Sequence, residues 1–207
     1  MIHPPDLRRR LEAARGRTSE RLSPAGLGSV TAIGPTVLID GYKVALFCSA
    51  EAAGERLLGT LDAARFMRDS NLKIISGLHS PIAKECLEML LRGKQSIIIC
   101  PACATENMRI PKECRPAFDA GRILFLSPFK DSPHRVTRAS AKRRHKFIAA
   151  MADATFLPHT TLGGDIERMA GRLTKWQVPI ARTVGDLQAM EQCRPRQLEK
   201  DGDAPHV

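Results

Sequence analysis

The amino-acid sequence predicts an α/β fold: a doubly wound, mostly parallel sheet flanked by helices. Three observations lead to it. Short runs rich in Ile, Val and Leu recur along the chain, and they are apolar throughout rather than alternating with polar residues. Strands buried on both faces have that composition, and parallel strands covered by helices are buried in this way. Between the runs lie segments whose apolar residues return at helical spacing, so strand and helix alternate and right-handed crossovers follow. The chain of 207 residues, 43% of them hydrophobic, is long enough to bury one good core.

The elements follow in order. Residues 1–27 read as a basic amphipathic arm, with DLRRRLEAARGRTSERL as its helix, ended by a Pro/Gly break from Pro24 to Gly28. SVTAI and TVLID read as two short strands joined at Gly34-Pro35. YKVALFCSA is a buried strand and AAGERLLGTLDAARFMRD a helix. LKIIS is the next strand. PIAKECLEMLLRG follows as a helix, with Pro81 suited to its first turn and Gly93 to its C-cap. SIIIC is a strand, RPAFDAG a short helix after a long loop, and RILFLS a further strand. TRASAKRRHKFIAAMADA is a helix, ATFLPH a strand, IERMAGRLTKWQ a helix and VPIAR a last short strand. The expected organisation is an arm over 1–27, one domain over 28–190 and a polar tail over 191–207.

In an open parallel sheet, ligands bind outside the carboxyl ends of the strands. The residues just after each strand therefore carry the most information. They are Cys48-Ser49-Ala50, Ser76-Gly77, Pro101, Ser127-Pro128 and His159-Thr160-Thr161 before Gly163-Gly164. Hydroxyls recur at four of these five points, and strand periodicity does not call for them. Gly77 would let backbone N–H groups approach a phosphate, and the helix opening at Pro81 would point its positive end there. His79 and Ser80 stand in the same turn. A plain strand-end turn with a capping serine is the alternative.

Charge adds to this. The formal net charge is +10, and HRVTRASAKRRHK, residues 134–146, holds six Lys and Arg with no acid. Arg143, Arg144, His145 and Lys146 sit where the helix opens or lies early in it, where cations oppose the macrodipole, so an anion nearby is expected. A solvated helix face is the bland alternative. Aromatic residues make up 4% of the chain, too few for an extended base-stacking platform.

Other chemistries find little support. The pair Cys100-Pro-Ala-Cys103 follows a strand, but no second such pair exists to complete a zinc site. Neither GxGxxG nor GxxxxGK[ST] occurs, so no cofactor and no metal is expected. No nucleophile motif has usable spacing, and no catalytic residue is assigned. No apolar run approaches the roughly 20 residues of a membrane helix, and the first residues lack the apolar core of a secretory signal. A cytoplasmic protein with no membrane partner is expected.

From Val44 to about Arg182 the motifs resemble the Rossmann-like domain of the DNA-processing protein A (DprA/Smf) family. VALFCSA stands for the family's strand ending Gly-Ser-Arg, and IISGLHSPIAKECLEML for its Ser-Gly-Gly-Ala-x-Gly-Ile-Asp segment. ILFLSPF matches the strand leading to Ser-Glu. RRHKFIAAMADATFLPHTTLGGDIERMA matches Arg-Asn-Arg-Ile-Ile-x-Gly-Leu-Ser, a strand, and Ser-Gly-Ser-Leu-x-Thr-Ala, and KWQVPIA the strand before Val-Pro-Gly. The departures are Cys48 for the family's glycine, Ser80 for its basic residue, Ala83 for its Asp and His145 for its Asn. The resemblance implies binding of single-stranded DNA in DNA processing and recombination, with Ser76, Gly77, Arg144 and Lys146 as phosphate contacts. Ser49, His79, Ser80, Arg143, His145, Thr161, Gly163 and Gly164 complete the candidate nucleic-acid or phosphate site. The family is often dimeric, so a homodimer is compatible with the resemblance.

Two other functions stay open. One is a small-nucleotide sensor or nucleotide-processing enzyme, similar to the lysine-decarboxylase-like phosphoribohydrolases of the same Rossmann-like group. TTLGGDIER supplies Gly163-Gly164 and Glu167 but lacks their second Gly-Thr. The other is a scaffold that keeps the fold and works through protein contacts.

Overall fold

The computed structural model describes residues 30–48, 55–105, 108–129, 136–158 and 165–193. Seven strands form one sheet: β1 (Thr31–Ile33), β2 (Lys43–Leu46), β3 (Lys73–Ser76), β4 (Ile97–Ile99), β5 (Ile123–Ser127), β6 (Ala154–Phe156) and β7 (Ile180–Ala181). Their order is β1-β5-β4-β3-β2-β6-β7; β1 runs antiparallel to β5 and every other pair is parallel. The chain winds outward from β2 through β3 and β4 to β5, then returns to lay β6 on the other side of β2. The expected doubly wound, Rossmann-like architecture is present, with its switch of direction between β2 and β6.

Among the described residues six helices cover the sheet: α1 (Glu55–Asp69), α2 (Pro81–Leu91), α3 (Arg115–Asp119), α4 (Arg138–Met151), α5 (Asp165–Lys175) and α6 (Val184–Cys193). Strand alternation sorts the core into two layers. Val44, Ile74, Ile97 and Ile123 face α1, α2, α3 and α6, where Met67, Leu90, Ala117 and Leu187 meet them. Ala45, Ile75, Ile98 and Leu124 face the opposite way, onto Phe147 and Ile148 of α4 and Leu173 of α5. Each large aliphatic side chain buried here stabilises the fold by about 1.5–3 kcal/mol relative to leaving it in water.

Four local expectations change. TVLI is not a strand: Thr36–Ile39 is a single 3₁₀ turn started at Pro35, and it buries Leu38 and Ile39 against the α4 face of the sheet. Gly93 is not a left-handed C-cap; Arg92 caps α2, and Gly93 is needed because a Cβ there would lie 2.5 Å from the Arg68 carbonyl oxygen. Helix α4 begins before the basic cluster. Thr137 accepts from Ser140 N–H and Ser140 accepts from Thr137 N–H, a reciprocal cap, so Arg143–Lys146 lies mid-helix. Last, α6 follows β7 and continues to Cys193. The arm over 1–27 and the tail from 194 onward lie outside the described residues.

A candidate anion site at the strand carboxyl ends

Helix α4 runs back against the strands, so its N-terminal half overhangs their carboxyl ends. Four strands contribute to the floor beneath it. Gly77, just past β3, lies under Arg144: a Cβ on Gly77 would be 2.7 Å from Arg144 Nε and 2.8 Å from Cζ. Cys100, just past β4, is buried and close enough to Arg144 to feel its charge. Phe129, just past β5, carries the Arg143 guanidinium 5.0 Å above its ring centre. The ring of His145 meets Phe47, at the end of β2, edge to face at 5.6 Å.

Arg144 is the centre of this arrangement. It is 6% exposed, its Nε has no hydrogen-bond partner, and none of the ion pairs among the described residues includes it. Its Nη2 lies 2.9 Å from Nε2 of His145. A guanidinium can only donate, so His145 accepts there and the neutral ring carries its proton on Nδ1. Burial, and then the Arg144 charge, push the His145 pKa down to about 4, although Asp165 pulls the other way. Burial also lowers the Arg144 pKa. A buried cation with an open donor and no carboxylate is costly in a folded protein, and an arriving oxyanion relieves that cost.

The turn after β3 is shaped around the same spot. Ser76 is buried; its hydroxyl donates to the Leu46 carbonyl at 2.6 Å and accepts from Leu78 N–H at 3.4 Å. That hydroxyl has spent its single proton on the β2 backbone and has none for an anion, so Ser76 shapes the turn. Leu78 adopts φ +44°, a left-handed conformation unusual for a branched side chain, and its side chain is buried in the core. His79 is exposed, and burial with Arg144 and Lys84 lowers its pKa. Ser80 caps α2 by accepting from Ala83 N–H at 3.3 Å, with Pro81 in the first turn.

Ser127 repeats the Ser76 pattern at the end of β5, donating to the Cys103 carbonyl at 2.6 Å and accepting from Phe129 N–H at 3.3 Å. At these two strand ends the recurrent hydroxyls stitch backbone to backbone. Arg143 and Lys146 are exposed on α4. Ser49, Thr161, Gly163 and Gly164 lie outside the described residues. The structure thus brings together Ser76, Gly77, His79, Arg144 and His145, with Ser80 in the same turn.

This strand order, with α4 lying over the ends of β3, β4 and β5, can be compared with solved structures. DNA processing protein A from Helicobacter pylori, solved to explain its single-stranded DNA binding mode, superposes with a TM-score of 0.58 at 18% identity, over 79% of this chain and 78% of that one. DprA from Streptococcus pneumoniae superposes with a TM-score of 0.52 at 15% identity, over 77% of this chain. The chain has a DprA-like fold. It spans 65% of the length of the S. pneumoniae structure. No family model and no curated protein sequence matches the chain.

Within this DprA-like fold, sequence reasoning passed over a second cluster. Asp165, the first residue of α5, is surrounded by Arg138 and Lys142 of α4 and by Arg168 of its own helix. Its hydrogen bonds to Arg168 and Lys142 hold its carboxyl at about 2. The signal was present in the sequence, as an acid opening a helix that continues with Arg168 and Arg172. No set of three His, Cys, Asp or Glu side chains among the described residues could hold a metal ion. No helix among them is long and apolar enough to cross a membrane.

Proposed function

We propose that the protein binds single-stranded nucleic acid, DNA in the first instance, and serves DNA processing and recombination. The observation that carries this reading is the buried, acid-free guanidinium of Arg144 laid against Gly77 at the carboxyl ends of the strands. Arg144 would take a backbone phosphate. Exposed Arg143 and Lys146 would hold neighbouring phosphates, and Ser80, whose hydroxyl proton is not used by its cap, can donate to an oxyanion. The DprA-like fold supports the same reading, because the H. pylori protein binds single-stranded DNA.

Fluorescence anisotropy with labelled single-stranded oligonucleotides over a salt series tests it. Affinity should fall as salt rises, since phosphate contacts release counterions. Arg144→Met should weaken binding to all sequences alike and reduce the log–log salt slope by about 0.7, the share of one phosphate that is no longer neutralised. Absence of binding at low salt, or an affinity indifferent to salt, would overturn the proposal. Stabilisation by nucleoside monophosphates with no oligonucleotide binding would replace it with a small-nucleotide site.

A further inference from the structure

Between α4 and α5 lies a cavity of about 150 Å³ lined by Lys142, His145, Asp165, Arg168, Met169 and Arg172. Its lining includes none of Gly77, Cys100, Phe129 or Arg144, and His145, in contact with Arg144, is the residue the two places share. Its volume matches roughly five water molecules at liquid density, room for a small hydrated oxyanion. The charges do not cancel. Lys142 lies 3.2 Å from the Asp165 carboxylate, Arg138 lies 3.6 Å from it, and Arg168 also pairs with it. Arg172 reaches the same cavity and pairs with no acid among the described residues. The cavity lining therefore carries three cations and one carboxylate, with a neutral imidazole beside them.

We propose that this α4–α5 cavity is a second anion subsite, specific for a phosphoryl group and independent of Arg144. A lining of three cations and one carboxylate leaves a twofold positive excess, which suits a phosphate monoester, carrying about −1.5 to −2, better than a monoanionic carboxylate. The two guanidinium forks of Arg168 and Arg172 and the Lys142 ammonium offer convergent donors matched to phosphoryl oxygens. Asp165 holds the donors in place while the subsite is empty, and it competes with the ligand for them once it is filled. Two sources share this chemistry: the terminal phosphate of a nucleic-acid strand and a free phosphate.

The experiment compares oligonucleotides that differ only in carrying a 5′-phosphate or a 5′-hydroxyl, alongside thermal shifts with inorganic phosphate. The full chain is used, together with Arg172→Ala and Asp165→Asn. If strand ends are the ligand, the 5′-phosphorylated oligonucleotide binds about tenfold tighter, roughly one well-made charge-assisted hydrogen bond, and Arg172→Ala abolishes that preference. If free phosphate is the ligand, both oligonucleotides bind equally, and phosphate raises the melting temperature of the full chain but not of Arg172→Ala. Asp165→Asn should strengthen whichever effect is present, a gain that misfolding cannot imitate. No effect of Arg172→Ala on either measurement, or weaker phosphoryl binding in Asp165→Asn, overturns the proposal. Arg144→Met separates the two sites: it should lower oligonucleotide affinity and leave the 5′-phosphate preference or phosphate shift intact.

Discussion

A few side chains decide what the strand ends can do. Gly77 leaves room for the guanidinium of Arg144, which a methyl at that position would have to push aside. His145 is held neutral between that guanidinium and the edge of Phe47. In the unfolded chain an imidazole takes its proton near pH 6.5, whereas in the fold His145 resists it until about pH 4. The folded pKa lies below the unfolded one, so protonation favours unfolding. The penalty is absent above about pH 6.5, grows as the pH falls and is complete below about 4, by at most about 3 kcal/mol. His79 acts in the same direction but is exposed, and Asp165 titrates below this window. Urea unfolding across this range should show the loss, and His145→Asn, which keeps an acceptor for Arg144 but cannot titrate, should flatten it. An unchanged slope in His145→Asn would remove His145 as the cause. The pairing of Ser76-Gly77 with Arg144 was legible in the sequence, as a glycine at a strand end and a basic run on a later helix. The use of the Ser76 and Ser127 hydroxyls was not, because a hydroxyl that serves a turn and one that serves a ligand look the same before the turn is built.

Among the elements, α4 carries the most functional weight and has the clearest start. The Thr137–Ser140 reciprocal cap fixes its first turn, and the register that follows aims Arg144 inward while Arg143 and Lys146 stay outside. Arg138 and Lys142, the cations nearest the positive end of the helix dipole, are the ones paired with Asp165. Thr137→Ala should cost about 1 kcal/mol, read as a lower urea midpoint with an unchanged m-value. A loss well under that would mean the first turn is held by Asp165 instead. Strands and helices with long periodic patterns were readable because each needs one buried stripe or face. The TVLI turn was not: its β-branched residues favour a strand, yet Pro35 starts a 3₁₀ turn that delivers Leu38 and Ile39 to the core. Helix α6 was missed for a related reason, since VGDLQAMEQC has a faint apolar stripe and buries only Leu187.

At the scale of the whole sheet, two buried cations among the described residues sit at its opposite ends and are treated in opposite ways. At the amino ends of the strands, Lys43 is 5% exposed and lies 3.2 Å from Asp153, whose carboxylate also accepts the Lys43 backbone N–H at 2.9 Å. The protein supplies that cation with its own anion. At the carboxyl ends, Arg144 is as deeply buried and is given a glycine, a neutral imidazole and an unused Nε. A fold selected for stability alone would not keep the second arrangement. Removing one partner of a buried pair strands the other charge, so Asp153→Asn should destabilise by about 3 kcal/mol. Replacing Arg144 by Met, close to its aliphatic volume, removes a buried charge that has no carboxylate to strand and leaves only the His145 Nε2 acceptor without its donor. It should therefore raise the unfolding free energy by about 1 kcal/mol while oligonucleotide affinity falls, an exchange of stability for binding. Chemical denaturation of the two variants beside the unaltered chain, with the anisotropy assay run on Arg144→Met, decides the matter. If Arg144→Met is destabilised as much as Asp153→Asn, its guanidinium is a structural strut and the phosphate role passes to Arg143 and Lys146 on the outer face of α4.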